Sequence, residues 1–265
     1  MPLLEVSEVT KEFGGLTANS QVSFNLEAGE VVGLIGPNGA GKTTLFNCIA
    51  GHFPVTRGRI VFDGADITPL SAHQVARLGL ARTFQIFQAS GDLRVCENVM
   101  VGAFMRTKSR NQARRRAEAW LDFFEISQAG SSMMTELPVA LQKRVALATA
   151  LACEPKLLLL DEVAAGLNRS EIEAIIPTLR RLHEEKGISL LLTEHVLELV
   201  LALSHRVIVL ESGRKIAEGE PQAVMKDPEV VRAYLGDHFV KRQRQADRAA
   251  QAAQAGQAGG EGGHA

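Results

Sequence analysis

Residues 31–44 read VVGLIGPNGAGKTT, and their order decides the fold. Val31–Ile35 is a short apolar run of the kind that forms a strand buried on both faces. The stretch Gly36, Pro37, Asn38, Gly39, Ala40, Gly41, Lys42, Thr43 then matches GxxxxGK[ST]. Thr43–Ala50 reads as a helix, and Gly51 closes it. The flanks make the match specific, because glycines between a strand and a helix let successive N–H groups turn inward around phosphates. The helix start adds its positive end. In such a loop Lys42 bridges the outer phosphates, and Thr43 offers a hydroxyl to Mg²⁺.

Outward from this loop, the strand signals continue. Leu3–Val9 and Val22–Leu26 precede it; Arg59–Phe62, an Asp63-Gly64 turn and Ala65–Ile67 follow as a hairpin. Leu157–Leu160, Ser189–Leu192 and Val207–Leu210 alternate with helical stretches, which predicts a parallel sheet covered by helices. Between about 88 and 153 the spacing is helical, as in Ala113, Ala117, Leu121 and Phe124, and predicts a lobe inserted into the α/β core. The tail, 241–265, is rich in Ala, Gln and Gly and reads as a flexible extension of a domain spanning 1–240.

Two acids, Asp161 and Glu162, end the Leu157–Leu160 strand. Ligands of open α/β sheets gather at the carboxyl ends of strands. Asp161 is placed to orient the Mg²⁺ shell, and Glu162 to polarise a water for attack on the terminal phosphate. His195 ends the next apolar strand, where an imidazole reaches that phosphate. Gln85, before the helical lobe, has an amide suited to hold the attacking water or the metal; Gln88 competes for that role.

Other classes are excluded by composition. The 29 Lys and Arg balance 30 Asp and Glu, a net charge of −1 that carries no nucleic-acid footprint. Three separated cysteines offer neither a zinc site nor a disulfide frame, and fit a reducing cytosol. No apolar run is long enough to span a bilayer. The N-terminus lacks a signal-peptide core.

Taken together, these residues resemble the ABC ATPase family, from about Leu3 to Gly236. The resemblance implies a P-loop NTPase core with an antiparallel β subdomain and an inserted helical subdomain. It implies that Phe13 stacks on adenine and that Thr44 extends the phosphate loop. Gln85 would be the Q-loop, Ala164–Asn168 the D-loop and His195 the switch histidine. The family's signature segment falls on Leu137, Pro138, Val139, Ala140, Leu141 and Gln142 and acts on ATP held by a facing subunit.

Phe13-Gly-Gly-Leu16, Ala81–Gln85 and Arg232-Ala-Tyr-Leu-Gly236 are closest to LivG-type subunits of branched-chain amino acid importers. That group implies ATP and Mg²⁺, a second ATPase subunit (a different chain or a second copy), two transmembrane permease subunits and a periplasmic binding protein. It implies peripheral attachment at the cytoplasmic face of the membrane. Two departures stand out. Ala140 replaces a glycine, which predicts a weakened signature and left-handed strain if that glycine had positive φ. Val163 replaces a proline, which predicts a looser turn behind Glu162. The rival reading is a nucleotide-binding module with little or no hydrolysis.

Overall fold

The structure is a computed structural model that describes residues 1–83 and 92–235. Gln85, Gln88, Gly236 and the tail lie outside the described residues.

The chain opens with β1 (Leu4–Phe13) and β2 (Leu16–Leu26), paired antiparallel from Leu4↔Leu26 to Phe13↔Leu16. Alternation drives this hairpin, interrupted by a register shift between Val6 and Val9: Leu4, Val6 and Val9 are buried on β1, and Val22, Phe24 and Leu26 on β2. β3 (Val31–Ile35) is buried along its whole length and leads through the glycine-rich loop into α1 (Lys42–Ile49). β4 (Arg57–Phe62) and β5 (Ala65–Asp66) then form the expected hairpin over Asp63 and Gly64. β4 pairs with β1, giving a four-stranded antiparallel sheet in the order β2-β1-β4-β5.

α2 (Ala72–Leu78) leads to β6 (Leu80–Arg82), a short strand that the sequence reading passed over. α3 (Val95–Ala103), α4 (Arg110–Phe123) and α5 (Val139–Leu151) follow. The chain returns through β7 (Leu157–Asp161), α6 (Arg169–Lys186), β8 (Ser189–Thr193) and α7 (Leu197–Leu203). It ends with β9 (Arg206–Glu211), β10 (Arg214–Gly219), α8 (Pro221–Val224) and α9 (Pro228–Leu235). α6 starts on a reciprocal cap: Asn168 Oδ1 accepts from Glu171 N, and Glu171 Oε2 accepts from Asn168 N.

The large sheet has the order β10-β9-β3-β8-β7-β6. β9, β3, β8, β7 and β6 pair in parallel; β10 is antiparallel at one edge. Period-two alternation divides the core. Leu157 and Leu159 of β7 join the cluster under α1 and the small sheet, while Leu158 and Leu160 join the cluster under α3, α4 and α5. Each of these fully buried leucines contributes about 2 kcal/mol. Because neighbouring strands are parallel, the ends of β3, β7 and β8 reach one edge of the sheet and bring Gly36, Asp161 and Thr193 together there.

Candidate active site

The phosphate loop is shaped by close approach. Gly36 has φ +150°, and a Cβ there would stand 2.1 Å from the carbonyl oxygen of Leu210. Gly41 has φ +96°, and a Cβ there would meet the Ala18 carbonyl oxygen at 2.4 Å. Neighbours brace the loop: Asn19 Nδ2 donates to Gly41 O at 3.1 Å, and Gly213 N to Ala40 O at 3.0 Å. No side chain caps α1, so its first amides point into the loop as anion donors. Lys42 Nζ donates to Gly36 O at 2.7 Å and Pro37 O at 3.1 Å. Burial lowers its pKa, and the charges of Glu162 and Asp161 oppose that shift.

A cavity of about 470 Å³ opens over this loop, lined by Leu16–Ala18, Asn38–Thr44, Glu162, His195 and Ser212. The cradle, Glu162 and His195 therefore share one space, although they lie far apart in the chain. His195 Nε2 is 3.0 Å from Glu162 Oε1. Glu162 itself has φ +49°, a conformation uncommon for a residue with a side chain.

Asp161 is more committed to protein than the sequence suggested. Its Oδ2 accepts from Arg82 at 2.5 Å and its Oδ1 from Thr193 Oγ1 at 3.1 Å. Arg82 also reaches Asn47 of α1 at 2.6 Å, which ties β6, β7 and α1 together. Among the described residues no cluster of three acid, His or Cys side chains forms a metal cage. Mg²⁺ takes only one or two protein oxygens and completes its shell from phosphate and water, so a single hydroxyl such as that of Thr43 is the kind of donor it uses. Thr43 lines the cavity and is the hydroxyl that fits this task.

Phe13 stands at the end of β1, 42% exposed, edge-on to Phe53 at 5.4 Å, with Lys11 Nζ 4.6 Å from its ring centroid. The hairpin wall of the cavity is instead made by Leu16, Thr17 and Ala18. Gln85 lies outside the described residues.

The signature segment requires a correction. α5 begins at Val139, with Pro138 before it. Ala140 is in the first helical turn and is not among the residues with positive φ, so the expected left-handed strain is absent. Gln142 N bonds Pro138 O, and the amides of Val139, Ala140 and Leu141 precede the helical ladder. Gln142 Nε2 donates to Leu137 O at 2.8 Å. Ala140 lines a separate cavity of about 130 Å³ with Leu167 and Ser170; none of residues 137–142 lines the cavity over the phosphate loop.

Three further residues touch the site without having been singled out. Glu194, 3% exposed, accepts from Ala164 N at 2.9 Å, and burial pushes its carboxyl up to about 7. Lys143 Nζ donates to Glu162 O at 3.3 Å. Tyr234 of α9 takes a hydrogen bond from the Gly36 backbone; burial pushes its phenol up to about 12. Lys143 and Glu194 sit in unremarkable sequence contexts, Tyr234 lies within the Arg232–Gly236 stretch, and only the fold brings each to the loop.

A glycine-lined anion cradle at a strand end, with an acid and a histidine facing it across one cavity, defines a P-loop nucleotide hydrolase. The chain belongs to the ABC transporter family: that family matches residues 19–165, and the branched-chain amino acid ATP-binding cassette transporter family matches residues 214–240. It is an ATP-binding cassette, an ATPase of the class that energises transport. It is 36% identical to the high-affinity branched-chain amino acid transport ATP-binding protein BraF of Pseudomonas aeruginosa, over 89% of this chain and 98% of that one. It is 34% identical to LivG of Escherichia coli K12, with the same coverages. A crystal structure of the ADP conformation of an ATP-binding cassette superposes with a TM-score of 0.81 and 31% identity, covering 89% of this chain and all of the other.

Proposed function

We propose that this chain binds and hydrolyses Mg²⁺-ATP to drive import of branched-chain or related amino acids through separate membrane subunits. The observation that carries the reading is the 3.0 Å approach of His195 to Glu162 above a glycine cradle, inside one cavity. In this reading the amides of 36–43 and Lys42 grip the β- and γ-phosphates, and Thr44 extends the grip. Glu162 accepts a proton from the attacking water, and His195 holds Glu162 and the terminal phosphate in register. Thr43, with Asp161 behind it and Gln85 joining from the adjoining segment, would hold Mg²⁺, which neutralises phosphate charge. Leu16 and Phe13 cover the base.

A second subunit completes the site. In this reading Leu137–Gln142, which do not line this chain's own phosphate cavity, serve ATP held by a facing subunit. ATP then shifts an open–closed equilibrium of the pair. Among the described residues no helix is long and apolar enough to cross a membrane; in this reading two permease chains provide the path. A groove near Gln85–Asn98, part of which lies outside the described residues, is the expected receiver of a short permease helix. A binding protein outside the membrane selects the cargo. The test is copurification with membrane subunits, then ATPase stimulation across amino acids. Stimulation by leucine, isoleucine or valine supports the reading; phosphate release at the basal rate with every cargo overturns it.

A further inference from the structure

Glu194 is nearly sealed from solvent, yet it does not line the phosphate cavity. Its surroundings are specific. Ala164 N donates to Oε1 at 2.9 Å, and the Val163 N–H also faces the carboxylate. A proline at 163 would have no N–H to offer. Directly before these two amides is Glu162, held at φ +49°. The rest of that turn is fastened too: Glu162 N donates to Thr193 O at 2.9 Å, and Lys143 Nζ donates to Glu162 O at 3.3 Å. The segment Thr193-Glu194-His195 therefore grips residues 162–164 by three successive contacts, the last being the imidazole on Oε1.

We propose that Glu194 is a positioning residue for hydrolysis: its carboxylate clasps the Val163 and Ala164 amides and fixes the left-handed turn that aims Glu162 at the attacking water. The inference rests on Glu162 being the base. It accounts for the absence of a proline at 163, because the clasp supplies from outside the stiffness that a ring would supply from within. It also accounts for a buried acid beside another acid, since the two amides offset part of the desolvation cost. The charged groups that face Glu194 are Glu162, which disfavours its ionisation, and Lys143 of α5, which favours it. An ionised clasp holds both amides, whereas a protonated one gives up acceptor capacity. Clasp occupancy in the wild type therefore rises with pH through the neutral range.

The experiment uses the assembled transporter carrying Glu194→Ala, Glu194→Gln or Glu162→Gln. Dissociation constants for MgATP, kcat and KM are measured from pH 6 to 9, and Tm is recorded for each variant. Removing hydrogen bonds to a charged group predicts that Glu194→Ala lowers kcat about tenfold or more while MgATP affinity stays within about twofold. Glu194→Gln, which keeps one acceptor and the shape, should recover part of kcat and lose the wild type's rise with pH near neutrality. Should Glu194→Ala fail to assemble, Glu194→Gln alone decides through its pH profile. The proposal is overturned if Glu194→Gln keeps the wild-type kcat and pH profile while Glu162→Gln is inactive. It is overturned equally if affinity and kcat fall in parallel. A Glu162→Gln variant with wild-type turnover would sink the underlying reading instead.

Discussion

His195 Nε2 and Glu162 Oε1 meet at 3.0 Å across the ends of neighbouring parallel strands, β8 and β7. Glu162 is the more enclosed partner, its side chain 15% exposed against 49% for His195. The half-buried acid is suited to act on water, and the exposed imidazole to follow what occupies the cavity. Glu162→Gln should abolish steady-state turnover by about a hundredfold or more while MgATP still binds. His195→Ala should slow turnover with less effect on binding. Single-turnover phosphate release set against nucleotide binding separates these effects.

Arg82 and Asp161 form an ion pair in which both side chains are almost fully buried. Removing one partner strands the other charge in the core. Arg82→Ala should therefore destabilise the fold by about 3 kcal/mol or more. Adding Asp161→Asn should recover part of that loss. Denaturant unfolding of the single and double variants checks both statements.

Glu194 makes stability depend on pH in a direction unusual for a carboxylate. Its folded pKa of about 7 lies above the ordinary 4.5. Between those values the folded chain keeps a proton that the unfolded chain has released. Stability is thus fully present below the unfolded value and declines as pH rises through the folded one. The loss is on the order of 3 kcal/mol. Glu194→Gln should flatten this slope, as urea unfolding at pH 5 and pH 8 will report.

Tyr234 connects α9 to the first glycine of the cradle. Tyr234→Phe removes one neutral hydrogen bond, a change of about 1 kcal/mol, or roughly fivefold in nucleotide affinity if the bond holds the loop's shape. Equilibrium binding of MgADP and MgATP should weaken together, because both use the same amides. Unaltered affinity would assign the hydroxyl to fold stability alone.

Ala140 sits in a helix, so replacing it with glycine acts in two opposed ways. Helix propensity predicts a loss of about 1 kcal/mol. Removing the methyl lets the backbone of α5 approach a facing nucleotide, and turnover of the assembled transporter should rise. Tm and ATPase rate measured on the same preparation should move in opposite directions.

Much of this was readable in the chain because local signals carried it. The VVGLI run, the glycine spacing and the Leu157–Leu160 strand each have one plausible structural reading. β6 was missed because three residues carry too little periodicity to register, and its pairing with β7 is long-range. The start of α5 directly after Pro138 fits proline's tolerance just before the first helical turn. Lys143 and Glu194 gave no signal, and Arg82 and Tyr234 stood only within stretches that carry the resemblance, since a polar residue's importance here comes from what the tertiary fold sets beside it. The Asp161 carboxylate shows the same limit: its position at a strand end was evident, but its bond to Arg82 depends on β6.

Gly36 lies so near the Leu210 carbonyl that even one added carbon would collide with the backbone of β9. Substitution there would push two central strands apart before any question of chemistry arose. In a mutational survey, position 36 would register as a folding defect: low yield and early melting. The loop's first residue is thus also a spacer in the sheet, and its tolerance to change is governed by architecture as much as by phosphate.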